Sequence, residues 1–84
     1  MSKEILVVDD NSDIRLLISS ILKDNGFSVR ESANFQQASH EINKKIPDVA
    51  VIDVKLDKGD NDGIELLVNL KKINEDVPVI MISG

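Results

Sequence analysis

Ile5-Leu6-Val7-Val8 runs without interruption into two adjacent carboxylates, Asp9 and Asp10. An apolar run of that length with no alternation suits a strand buried on both faces, as in a parallel sheet with helices on either side. Such a strand delivers Asp9 and Asp10 to its carboxyl end, the edge of an open α/β sheet where ligands bind. Val49-Ala50-Val51-Ile52 repeats the pattern and ends on Asp53, and Val79-Ile80-Met81-Ile82 ends on Ser83. If the three strands lie parallel, Asp9, Asp10, Asp53 and Ser83 converge on one rim.

The segments between the strands read as helices and one further strand. Asn11 or Ser12 can cap a first helix, with Asp13 at the positive end of its dipole. Ile14, Leu17, Ile18, Ile21 and Leu22 then form one apolar stripe, with Arg15, Lys23 and Asp24 on the other side. Gly26 after Asn25 is a helix stop. Phe27, Val29 and Glu31 alternate with Ser28 and Arg30 as a short, half-exposed strand. Asn34 can cap a second helix carrying Phe35, Ala38, Ile42 and Ile46 inward, ended by Pro47. His40 on that helix reads as a solvated residue, since no acidic motif surrounds it. Gly63 opens a third helix with Ile64, Leu67, Val68 and Leu70 as its apolar positions. The alternation of strand and helix predicts parallel strands joined by right-handed crossovers.

At 84 residues there is one domain, 1–84, and a chain this short buries only about two-thirds of its unfolded surface. Ten basic and 15 acidic residues give a net charge of −5, which argues against a nucleic-acid footprint. The absence of cysteine excludes a disulfide framework and a thiolate metal site. Met1-Ser2-Lys3-Glu4 lacks the apolar segment of a signal peptide, and no apolar run approaches membrane-spanning length. The expectation is a cytoplasmic protein with neither a nucleic-acid nor a membrane partner.

The rim then dictates the chemistry. Two carboxylates about 4 Å apart repel by roughly 4 kcal/mol at an effective dielectric of about 20. A cluster of three needs protonation of one member or a hard divalent cation, and oxygen-only ligands favour magnesium or calcium. The sequence holds neither GxGxxG nor GxxxxGK[ST], so it does not read as a nucleotide binder. The loop carboxylates Asp57, Asp60 and Asp62 do not fit the calcium loop of an EF-hand. With a cation present, a carboxylate is free to attack a phosphoryl group and form an aspartyl-phosphate. Asp53, alone at its strand end, is the candidate nucleophile, and Ser83 could hydrogen-bond a phosphoryl oxygen.

Four segments carry a resemblance to the receiver domain of bacterial two-component response regulators. They are Ile5 to Asn11, Pro47 to Asp53, Asp62-Gly63-Ile64-Glu65-Leu66-Leu67, and Val77 to Gly84, in order and with family-like spacing. The resemblance implies a flavodoxin-like (CheY-like) α/β fold with a parallel sheet of four strands in the order 2-1-3-4 and three helices. It implies that Asp53 is the phosphoacceptor. Asp10 would bind magnesium, or another divalent cation, directly, and Asp9 directly or through water. Asp53 belongs to the same metal set, and Lys55 would add a backbone carbonyl. Ser83 would be the switch hydroxyl, and a histidine kinase or other phosphodonor the partner. The loop from Asp53 to Asp62-Gly63 is longer than usual and lacks the family's proline, which resembles NtrX-type receivers. By the same resemblance the chain is truncated after the fourth strand. The fourth helix, fifth strand and fifth helix, and with them the family's lysine and aromatic switch residue, have no counterpart.

These features predict a signalling phosphoacceptor that at most catalyses its own phosphorylation. The alternative is an interaction-only pseudo-receiver that dimerises or binds a kinase without phosphate turnover. A magnesium-dependent phosphatase of the haloacid dehalogenase type ranks last, because Val8-Asp9-Asp10-Asn11 lacks the Asp-x-Asp spacing of that class. Val79 to Ile82 is apolar on both pleat faces yet would be the last strand of the sheet. An apolar edge is a pairing template, so the chain is expected to form a homodimer through this strand.

Overall fold

The computed structural model describes residues 3–56 and 62–82. The chain order is β1 (Glu4–Val8), α1 (Ser12–Asp24), β2 (Ser28–Ser32), α2 (Phe35–Lys44), β3 (Val49–Asp53), α3 (Asp62–Ile73) and β4 (Val79–Ile82). The strands form one sheet in the order β2-β1-β3-β4, and every neighbouring pair is parallel. This is the expected receiver topology. β1 and β3 lie inside the sheet, and their uninterrupted apolar sequences match burial on both faces.

Register decides which side chains share a face. Leu6 pairs with Ala50 and Val8 with Ile52. These four meet Ala38 and Ile42 of α2 and Leu66 and Leu70 of α3 in the larger core cluster. Ile5, Val7 and Val51 face the other way, where Ile18 and Leu22 of α1 pack on them. One helix therefore covers a face on one side while two cover the other.

The helix ends are closed by local chemistry. Asn11 caps α1, its side-chain oxygen accepting from the N–H groups of Asp13 and Ile14 at 2.9 and 3.1 Å. The C-terminus of α1 is a Schellman turn: Phe27 N–H donates to Leu22 O and Gly26 N–H to Lys23 O, both at 3.1 Å. Gly26 adopts φ +88°, a conformation that a side chain disfavours. Asn34 caps α2 through the Gln37 N–H at 2.8 Å. At the far end of α2 the Arg30 guanidinium donates to the carbonyls of Glu41 and Lys45 and pairs with the carboxylates of Glu4 and Glu41. That one half-buried side chain ties β2, β1 and α2 together and sits where the helix dipole is negative. His40 is exposed, as expected.

Two helix faces differ from the sequence-based expectation. On α1, Ile18 and Leu22 reach the core with the buried Ser19, whereas Ile14, Leu17 and Ile21 are 43%, 58% and 53% exposed. Leu17 and Ile21 form a helical row beside that of Ile18 and Leu22, and only one of these rows can lie on the sheet. On α3 the buried positions are Gly63, Leu66 and Leu70, while Ile64 and Val68 are exposed. The phase of that helix is set at its first turn. A Cβ on Gly63 would lie 1.8 Å from the Asp53 carbonyl oxygen, so Gly63 must face the end of β3. Leu66 and Leu70 then follow at helical spacing on the same side.

This reassignment has a measurable consequence. Leu66→Ala should lower the unfolding free energy in urea by about 2–5 kcal/mol, the usual cost of emptying a buried leucine site. Ile64→Ala and Val68→Ala should each cost less than about 1 kcal/mol. Equal losses at the three positions would restore the broader apolar face.

Candidate functional site

Asp9, Asp10 and Asp53 meet where β1 and β3 end. Val8 pairs with Ile52, so the residue following each strand pair lies at the same level of the sheet. A carboxylate oxygen from each of the three lies within 4.8 Å of the others. Asp9 is buried, Asp53 half-buried and Asp10 exposed. The cleft they line has Ile14 and Ile18 of α1 and Ile82 of β4 as its apolar wall, and Lys55 at its mouth. The structure thus brings together the three expected carboxylates, with Lys55 on the lining of the same cleft. Ser83 lies outside the described residues, as do the loop carboxylates Asp57 and Asp60.

Each acid has a distinct anchorage. Asp9 N–H donates to the Ser32 carbonyl at 3.1 Å, so β2 holds the end of β1. The Asp9 Oδ1 accepts from the Asn11 N–H at 2.9 Å. The Asp53 Oδ1 accepts from the Lys55 N–H at 3.2 Å, and the Val54 N–H donates to Ile82 O at 2.9 Å. Asp62 closes the segment after β3. Its Oδ1 accepts from the Leu56 N–H at 2.5 Å, and the Gly63 N–H donates to Val54 O at 3.0 Å. The sequence reading placed Asp62 among the loop carboxylates. It is buried, and with Gly63 it presses the start of α3 onto the backbone of Asp53.

Arg15 was also misread from the sequence, as part of the outer face of α1. Its Nη1 donates to the Asp9 carbonyl at 2.8 Å and its Nε pairs with Glu31 at 3.2 Å. The available signal was its position: the first turn of a helix capped at Asn11 must overhang the end of β1.

The electrostatics single out Asp53. Burial pushes its carboxyl above the ordinary carboxylate range, and the charges of Asp9 and Asp10 push the same way against the Lys55 N–H, which favours the ionised form. The donor set is carboxylate oxygen throughout, with neither nitrogen nor sulfur, which fits a hard divalent cation. Such a cation would offset the charge of the three carboxylates.

Comparison with known proteins gives a consistent picture. The family model of the response regulator receiver domain matches residues 5–84. The chain is 40% identical over 84 residues to the nitrogen assimilation regulatory protein NtrX of Azorhizobium caulinodans, covering all of this chain and 18% of that protein. It is 35% identical to sporulation initiation phosphotransferase F of Bacillus subtilis, again over its full length, which is 66% of the relative. Among solved structures, the receiver domain of NtrX from Brucella abortus superposes with a TM-score of 0.87 at 41% identity, over 95% of this chain and 67% of that one.

The raised Asp53 carboxyl predicts a pH dependence. The folded chain holds this proton to higher pH than the unfolded chain does. Stability is therefore lost as pH rises from the ordinary carboxylate range through the raised value. In metal-free buffer, Asp53→Asn should be more stable than the wild type at neutral pH, and the difference should shrink on acidification. Parallel urea titrations of both proteins between pH 3 and pH 7 measure this, and a constant difference would remove the electrostatic account.

Proposed function

The chain belongs to the response regulator receiver domain family, and from that premise we propose that it is a two-component phosphoacceptor whose acceptor is Asp53. The observation that carries this reading is the meeting of three carboxylates at the ends of neighbouring parallel strands, with Asp53 the half-buried member. An Asp53 carboxylate oxygen attacks the phosphorus of a phosphodonor. The new O–P bond replaces the bond to the donor's leaving group, which departs with the electron pair, and the product is an acyl phosphate. Asp9 and Asp10, joined by Asp53 and the Lys55 carbonyl, are the residues that would hold magnesium. Bound there, a divalent cation would supply charge neutralisation for the transferring oxygens. Ser83 is assigned the switch hydroxyl. Gly63 and Asp62 keep the nucleophile's backbone in place, and the N–H of Lys55 steadies one Asp53 oxygen while the other remains for attack. The protein partner is a histidine kinase or another phosphodonor.

Incubation with a small phosphodonor and magnesium, followed by intact mass measurement, should add one phosphoryl group to the wild type and none to Asp53→Asn. Modification that persists in Asp53→Asn would overturn the assignment. An unmodified wild type would leave the interaction-only reading in its place.

A second copy of the chain is the other partner we propose. Among the described residues β4 is an outer strand, paired only with β3, and Ile80 on it is 55% exposed. Its sequence Val79-Ile80-Met81-Ile82 carries neither charge nor proline to discourage edge pairing. Antiparallel pairing of β4 with its copy about a two-fold axis would satisfy both edges and extend the sheet. Size exclusion with light scattering at micromolar concentration should give the mass of a dimer, and Ile80→Lys should shift it to monomer. A wild-type monomer refutes dimerisation, and a dimer unaffected by Ile80→Lys refutes this interface.

A further inference from the structure

We propose that Arg15 and Glu31 are a positioning pair that holds the peptide between Asp9 and Asp10 in the orientation a divalent cation requires. The inference rests on the reading of the acidic rim as a cation site. Arg15 Nη1 donates to the Asp9 carbonyl at 2.8 Å, and Arg15 Nε pairs with Glu31 Oε1 at 3.2 Å. The Arg15 side chain is 18% exposed and that of Glu31 28%, so the pair lies at the surface and its role here is geometric.

The geometry gives this pair a specific task. Glu31 and Ser32 are consecutive on β2. Ser32 accepts the Asp9 N–H directly, and Glu31 reaches the Asp9 carbonyl through Arg15. Asp9 is thus held at its amide, its carbonyl and its Oδ1, and its residue is 4% exposed. The Asp9 carbonyl shares a peptide plane with the Asp10 N–H. The tilt of that plane sets where the Asp10 side chain leaves the backbone, and Asp10 is otherwise exposed. A guanidinium suits the task because its planar, pre-organised fork holds a carbonyl and a carboxylate in a fixed mutual orientation, which a flexible ammonium does less rigidly.

Charge and positioning predict opposite signs. If Arg15 acted only through its charge, removing it would lessen repulsion of an incoming cation and tighten binding. If it positions the Asp9–Asp10 peptide, removing it weakens binding, as loss of a group supporting metal ligands commonly does by 10–100-fold. Isothermal titration of the whole chain with magnesium alone, on the wild type, Arg15→Met and Arg15→Lys, separates the two. We expect Arg15→Met to bind at least about tenfold more weakly and Arg15→Lys to fall between it and the wild type. The metal-free melting temperature of Arg15→Lys should stay close to that of the wild type, so that its weaker binding is not a folding defect. Should Arg15→Met fail to fold, Arg15→Lys carries the test. Magnesium binding that is unchanged or tighter in the folded variant overturns the positioning role. A wild type that does not bind magnesium overturns the cation reading itself, and this inference falls with it.

Discussion

The structure depends on a repulsion that it is built to withstand. Three carboxylates meet within 4.8 Å because parallel register places the ends of β1 and β3 side by side. At that distance each ionised pair costs roughly 3 kcal/mol at an effective dielectric of about 20. A small domain has a net stability of only about 5–15 kcal/mol, so even the solvent-screened part of this repulsion, with Asp10 exposed, has to be met by the fold. What resists is apolar burial just below. Leu6, Val7, Val8, Ala50 and Ile52 are fully buried immediately before the acids begin. The change from core to charge happens within one residue on each strand. The acids cannot separate without breaking either the strand pairing or the core.

Backbone contacts complete this restraint. Asp53 is held from beyond its strand by Gly63, whose missing Cβ admits the Asp53 carbonyl, and by Asp62, which closes the following segment. Asp9 is held from the other side by β2. Asp53 and Asp9 are therefore held by different neighbours, α3 and β2, while Asp10 is exposed. Such pre-organisation leaves little rearrangement to be made when charge is compensated, the condition under which electrostatic stabilisation is most effective.

The division between legible and hidden features follows from the range of the forces involved. Strand positions and the meeting of Asp9, Asp10 and Asp53 were legible because uninterrupted apolar runs encode two-sided burial, and parallel order does the rest. Helix caps at Asn11, Asn34 and Gly26 were legible because they are local. Helix faces were less so. The apolar periodicity of α3 suggested Ile64, Leu67, Val68 and Leu70, and contact between Gly63 and the end of β3 rotated the helix toward Leu66 instead. Periodicity reports how many apolar residues a helix carries, whereas tertiary contact decides which of them are used. Arg15 and Asp62 were hidden for a related reason. Each bonds a backbone group, the Asp9 carbonyl or the Leu56 N–H, and backbone groups leave no mark in a sequence.

The unequal covering of the two sheet faces bears on how the site responds to a partner. α2 and α3 enclose one face, and α1 alone covers part of the other. Among the exposed apolar groups are Ile14, Leu17 and Ile21 on α1 and Ile80 on β4, and Ile14 lines the acidic cleft. Covering this corner removes water from apolar surface and from the carboxylates together. The first effect is favourable in proportion to area. The second lowers the local dielectric and raises the cost of any charge left uncompensated. A partner that covered the corner would thus be resisted by the bare acids and favoured once their charge was balanced, a link that the dielectric by itself suffices to make.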